Sequence, residues 1–104
     1  MSDDTLLRLA ATIGARKDAD AATSWTAKLL AQGPDKTAQK FGEEAIEAVV
    51  EAVRGDREKL TEEAADVLYH LLVMLASRDV ALADVYAELD RRAGKSGIEE
   101  KASR

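Results

Sequence analysis

The stretch Lys40–Asp66, KFGEEAIEAVVEAVRGDREKLTEEAAD, decides how this chain folds. It holds nine of the twenty acidic residues in a chain of 104. Two pairs stand out, Glu44 with Glu47 and Glu63 with Asp66. Spacing i, i+3 puts each pair on one helix face, about one turn apart. Between the pairs, Arg54-Gly55-Asp56 reads as a helix stop followed by a helix start. A hairpin there brings four carboxylates from two neighbouring helices toward one point. Like charges gathered in that way repel unless a cation sits among them.

The first hairpin helix is expected from about Asp35 to Arg54. Phe41, Ala45, Val49 and Ala52 share one flank, and Ile46, Val50 and Val53 widen the apolar arc past half the circumference. Lys40, Glu44, Glu47 and Glu51 fill the remaining stripe. So wide an arc implies packing on two sides, with the acidic stripe bordering buried surroundings. The second helix is expected from about Arg57 to Ser77, with Asp56 as its N-cap. Its apolar residues are Leu60, Ala64, Val67, Leu68, Leu71, Leu72, Met74 and Leu75. Lys59, Glu63, Asp66, His70 and Ser77 form one narrow polar stripe through them. Burying a carboxylate without a partner is costly, so partners are expected.

Three shorter helices surround the hairpin. One starts near Asp4 or Thr5, with Leu6, Leu7, Leu9, Ala10 and Ile13 on its apolar side. Ser24 caps a second through Trp25, Ala27, Leu29 and Leu30, and Gly33-Pro34-Asp35 then breaks the chain. After Arg78-Asp79 a last helix runs from about Leu82 to Arg92, with Leu82, Val85, Tyr86 and Leu89 inward. The segment 95–104 is a polar tail. One Pro, six Gly and few aromatics agree with helix, and no strand-like alternation or internal repeat interrupts it. The expected fold is all-α: one domain over 1–104, a small bundle of about five helices completed by homodimerisation.

Composition narrows the function classes. The chain has no Cys, so it offers no disulfide framework, thiolate metal site or cysteine nucleophile. The net charge of −5 disfavours nucleic acid and anionic membrane as partners. The apolar run Val67–Ser77 is too short to cross a bilayer, and the acidic start lacks the order of a signal peptide. Those features point to the cytoplasm. There is no Walker-type loop and no dinucleotide fingerprint.

The acids admit three readings. A Mg²⁺ site for phosphate chemistry suits them, because hard cations take carboxylates, waters and phosphate oxygens. Solvated helix faces are the ordinary explanation of acidic i, i+3 pairs. A di-iron centre needs Glu-x-x-His motifs, whereas Glu44 and Glu63 are followed three residues on by Glu47 and Asp66. Lys28, Lys36, Lys40 and Arg92 are the candidate phosphate contacts, each equally readable as a surface cation. Trp25, Tyr69 and Tyr86 are expected in packing, His70 as a half-buried histidine, and Glu51, Glu58 and Glu62 as ordinary surface acids.

Glu43-Glu44-Ala45-Ile46-Glu47 followed by Glu63-Ala64-Ala65-Asp66 resembles the E-E-x-x-E…E-x-x-D signature of the all-α NTP pyrophosphatase superfamily. Within it the chain looks most like the phosphoribosyl-ATP pyrophosphohydrolases of histidine biosynthesis. Thr26-Ala27-Lys28-Leu29-Leu30, Gly33-Pro34-Asp35-Lys36, Lys40-Phe41-Gly42, the run Glu62–Leu72 and the tail Ser96–Lys101 carry that closer likeness. The resemblance implies hydrolysis of phosphoribosyl-ATP to phosphoribosyl-AMP and pyrophosphate, with a Mg²⁺-activated water attacking phosphorus. It implies Glu44, Glu47, Glu63 and Asp66 as metal ligands, Glu43 in support, and a homodimer with the site near the shared interface. It also implies that Lys95, Ser96 and Lys101 fold over substrate or partner. A housekeeping nucleoside triphosphate pyrophosphatase and a non-catalytic helical dimerisation module are the alternatives. Substrate comparison separates the first, and a Mg²⁺-induced rise in melting temperature the second.

Overall fold

A computed structural model describes residues 4–94, which form five helices: α1 (Thr5–Ala15), α2 (Trp25–Ala31), α3 (Pro34–Arg54), α4 (Arg57–Ser77) and α5 (Leu82–Arg92). The expected segment 95–104, with its Lys95, Ser96 and Lys101, lies outside the described residues. The starts of α1 to α4 and the turn between α3 and α4 have local causes. The Asp4, Ser24 and Asp56 side chains accept from the backbone N–H of Leu7, Ala27 and Lys59 and so start α1, α2 and α4. Pro34 opens α3 one residue earlier than its sequence suggests, behind Gly33 at φ 89°. Gly55, at φ 79°, ends α3 in the left-handed conformation that lets Asp56 begin α4 at once.

The 21-residue helices α3 and α4 lie antiparallel as the hairpin, and α4 is the axis of the molecule, touching α1, α2 and α3. The core sits around the C-terminal half of α4. Leu72 and Val73 pack there with Ile13 of α1, Leu29 of α2 and Leu82 of α5. Val73 is missing from the apolar set read off the sequence because it falls in phase with His70 and Ser77, on the polar stripe. That stripe faces inward toward α3. It begins with acids, passes through buried His70 and Val73, and ends where the Thr37 hydroxyl donates to Ser77 Oγ at 3.0 Å. Ser77 in turn donates to the Met74 carbonyl at 2.6 Å.

Three expectations are corrected. The apolar arc of α3 is not packed on two sides: Ile46, Val49, Val50 and Val53 are exposed, Val53 to 82%. The short helices all gather at the far end of the hairpin, so nothing among the described residues covers this face. Leu89 is 58% exposed rather than inward. Tyr86 already reaches the start of α1, its hydroxyl donating to Asp4 at 3.0 Å, so α5 runs on past α1. Trp25 is 57% exposed and carries the Lys28 ammonium 5.7 Å over its ring instead of filling the core.

Candidate metal centre

The site lies in the middle of the α3–α4 hairpin. Glu44 of α3 and Glu63 and Asp66 of α4 each offer one carboxylate oxygen, all within 4.8 Å of one another. Two antiparallel helices converge their acids in this way because the Gly55 turn fixes the register. On α3, Thr37, Glu44 and Glu51 are spaced by two near-full turns, and on α4 Ser77, His70 and Glu63 step back by the same interval. Thr37 meets Ser77, Glu44 meets His70, and Glu51 lies beside Glu63.

Of the four acids expected to act together, three form the tight group. Glu47 is exposed and stands outside it, but shares a hydrogen bond with Glu44. Glu43 points elsewhere: it accepts from Gln39 at 2.9 Å and lies 3.4 Å from Lys40. Those two contacts, Gln39 first, hold its carboxyl below the usual range.

Electrostatically the cluster is unfinished. Burial first, then the hydrogen bond with Glu47 and the charges of Glu47, Asp66 and Glu63, push Glu44 from 4.5 to about 7. Glu63 is also raised, by burial first and then by Glu47, Asp66 and Glu51. Glu63 Oε2 is buried without a hydrogen-bond partner. The ion pairs among the described residues include none to Glu47, Glu63 or Asp66. Converging oxygens, a buried unpartnered carboxylate atom and the lack of a cationic partner for Glu63 and Asp66 among the described residues suit a hard divalent cation.

Glu51, expected as an ordinary surface acid, lies outside the three converging oxygens but is not fully exposed. It is half-buried, its Oε1 has no hydrogen-bond partner, and its charge acts on Glu63. The signal was its place one heptad beyond Glu44, on the same stripe as Glu47. Among the candidate phosphate contacts, Lys40 lies nearest the cluster, its charge reaching His70. Lys36 is exposed near Glu43, and Lys28 rests on Trp25. Arg92 sits on α5, which packs against α1, with its guanidinium 2.9 Å from Glu88.

The sequence of the chain matches the family model described as phosphoribosyl-ATP pyrophosphohydrolase over residues 6–93. It is 76% identical over 99 residues to the phosphoribosyl-ATP pyrophosphatase of Dinoroseobacter shibae, covering 95% of this chain and 97% of the relative. It is 75% identical to the one of Paracoccus denitrificans, covering 95% and 92%. Against that of Jannaschia sp. the identity is 68%, covering 95% and 97%.

Proposed function

The chain belongs to the phosphoribosyl-ATP pyrophosphohydrolase family, and we propose that its hairpin acids are the Mg²⁺-binding centre of that activity. It is a hydrolase that converts phosphoribosyl-ATP to phosphoribosyl-AMP and pyrophosphate, an early step in histidine biosynthesis. The observation that carries the metal proposal is the convergence of Glu44, Glu63 and Asp66, with no ion pair to Glu63 or Asp66 among the described residues.

Glu44, Glu63 and Asp66 supply the converging oxygens, and Glu47 joins them from the next turn of α3. When bound, Mg²⁺ neutralises phosphate charge and acidifies water for attack on phosphorus. The residues have their own tasks. Burial and its acidic neighbours hold the Glu44 pKa up at about 7, so a cation among these acids would favour its ionised, ligating form. Glu63 holds an oxygen that no protein donor claims. Lys40, whose charge reaches His70, and Lys36, near Glu43, would meet a phosphate approaching along α3, and Lys28 would meet one from α2. Arg92, paired with Glu88 on α5, would reach a phosphate only by leaving that contact.

The proposal includes a homodimer. Exposed Ile46, Val49, Val50 and Val53 on α3 and Leu68 on α4 form an apolar face on the same hairpin that carries the acids. A second copy of the chain covers such a face by matching it with its own, and so places the site near the shared interface. We take 1–104 to be one domain working in the cytoplasm. No helix of the described residues is long and apolar enough to cross a membrane.

Asp66→Asn tests the centre. The variant is expected to keep the helical circular-dichroism spectrum, lose pyrophosphate release by at least about a hundredfold, and lose the Mg²⁺-induced rise in melting temperature. Full Mg²⁺-dependent turnover by this variant would overturn the ligand assignment. Faster turnover of ordinary nucleoside triphosphates than of phosphoribosyl-ATP would favour the housekeeping alternative.

A further inference from the structure

His70 has no part in the chemistry above, yet it is the most buried titratable side chain at the site, with 7% of its surface exposed. It is the only histidine of the chain. Its two ring nitrogens have different surroundings. Nδ1 is buried with no hydrogen-bond partner among the described residues. Nε2 faces Glu44 Oε1 at 3.9 Å. The ring is held in place edge-on to Tyr69, at 5.1 Å and 81°, and Tyr69 is anchored to Thr26 of α2 by a 2.6 Å hydroxyl contact.

A neutral imidazole carries one proton, and its place follows from what each nitrogen meets. A proton on Nδ1 would be buried with no acceptor. A proton on Nε2 points to a carboxylate. The 3.9 Å separation is longer than a hydrogen bond of about 2.7–3.2 Å, so the bond forms only when the Glu44 side chain moves toward the ring. The imidazole cannot follow Glu44 far, because α2 holds it through Tyr69 and Thr26.

We propose that His70 is a positioning residue: its Nε2–H clamps one oxygen of ionised Glu44, which leaves the second oxygen free to ligate the cation. The proposal rests on the metal reading given above. A carboxylate held at one oxygen loses the freedom to swing toward solvent, and groups that hold a metal ligand in this way typically change metal affinity about 10–100-fold. His70 needs no contact with substrate for this role.

The test uses the full chain and Mn²⁺ alone, with binding read from loss of the free-ion electron paramagnetic resonance signal. His70→Leu and His70→Asn are expected to weaken Mn²⁺ binding about tenfold or more. His70→Gln, whose amide nitrogen reaches the place of Nε2, is expected to restore it to within about threefold. Asn places its amide at the Nδ1 position and so cannot substitute. A purely structural role would lower melting temperature in all three variants without ordering their Mn²⁺ affinities. The wild-type tautomer gives a second readout that needs no variant. Labelling histidine with ¹⁵N yields a single ring system, and the Nε2–H form is expected in mildly alkaline, metal-free buffer. An Nδ1–H tautomer, or Leu and Asn variants that bind Mn²⁺ as the wild type does, would remove the proposal while leaving the metal centre intact. A wild-type chain that takes up no Mn²⁺ would remove both.

Discussion

Replacing Glu44 by Gln is expected to stabilise the metal-free protein above neutral pH and to weaken its response to Mg²⁺. Gln is the neutral mimic of a protonated glutamic acid, and its amide still donates to Glu47. In the wild type the Glu44 carboxyl is raised from 4.5 to about 7 by burial and by its acidic neighbours. The folded state therefore holds a proton that the unfolded chain has already released. Stability from this group is fully present below the unfolded value of 4.5 and is lost as pH rises through about 7. Complete ionisation corresponds to about 3 kcal/mol before screening. The cluster has an open side at Asp66 and Glu47, so water and salt reduce this to about 1–2 kcal/mol. For a chain of this size that is a melting-temperature difference of roughly 5–10 °C.

The assay is thermal unfolding of both proteins in chelator, at fixed protein concentration, from about pH 5 to pH 8. The two melting curves should coincide at the acid end and separate progressively toward the alkaline end, with Glu44→Gln the higher. Adding Mg²⁺ at the alkaline end should raise the wild type and reverse much of the gap, because the cation replaces the missing proton as the neutralising charge. A Glu44→Gln protein that melts with or below the wild type at the alkaline end, in chelator, would refute the reasoning. It would mean that the acids do not interact as the geometry requires.

Two further outcomes follow from the packing. Val53→Asp places a charge on the most exposed large apolar side chain of α3. It should convert a dimer to monomer in multi-angle light scattering without changing helix content, and an unaltered dimer would relocate the interface. Thr37→Val keeps the side-chain volume in a buried position but removes the donor to Ser77. The expected loss is about 1 kcal/mol, or roughly 5 °C in melting temperature, and no loss would show that the contact contributes nothing.

The hairpin register and the starts of α1, α2 and α4 were legible because they are set locally. Asp4, Ser24 and Asp56 cap through their own side chains, and Gly55 alone permits the turn between α3 and α4. The convergence of Glu44, Glu63 and Asp66 was legible for the same reason, since helical phase and a tight turn determine it together. What sequence pattern could not give was the side of each helix that packs. Val49 and Val53 look like core by hydrophobicity, but core formation depends on where α1, α2 and α5 stop. Val73 and Glu51 were misjudged by the opposite error. Both lie on stripes that read as polar, and those stripes turn inward. Glu51 is half-buried beside Glu63 only because α4 lies against it, and no property of α3 alone reveals that.

The hairpin is built inside out, and this arrangement ties the metal centre to the apolar face. Along its seam the polar groups change from satisfied to unsatisfied. At the core end, the Thr37 and Ser77 hydroxyls satisfy each other and the backbone. In the middle, His70 and Glu44 stand just outside hydrogen-bonding distance, at 3.9 Å. Toward the turn, Glu51 Oε1 and Glu63 Oε2 have no hydrogen-bond partner among the described residues. An interior lined with unpartnered acids cannot draw α3 and α4 together by its own attraction, because like charges there oppose the contact. The apolar residues that would normally supply that attraction lie on the outer faces instead. The turn half of the hairpin therefore needs neutralisation within and apolar cover without. Since the same two helices carry both demands, the proposed cation between the acids would fix the spacing of α3 and α4, and that spacing would set the shape of the outer face that the proposed second copy would cover.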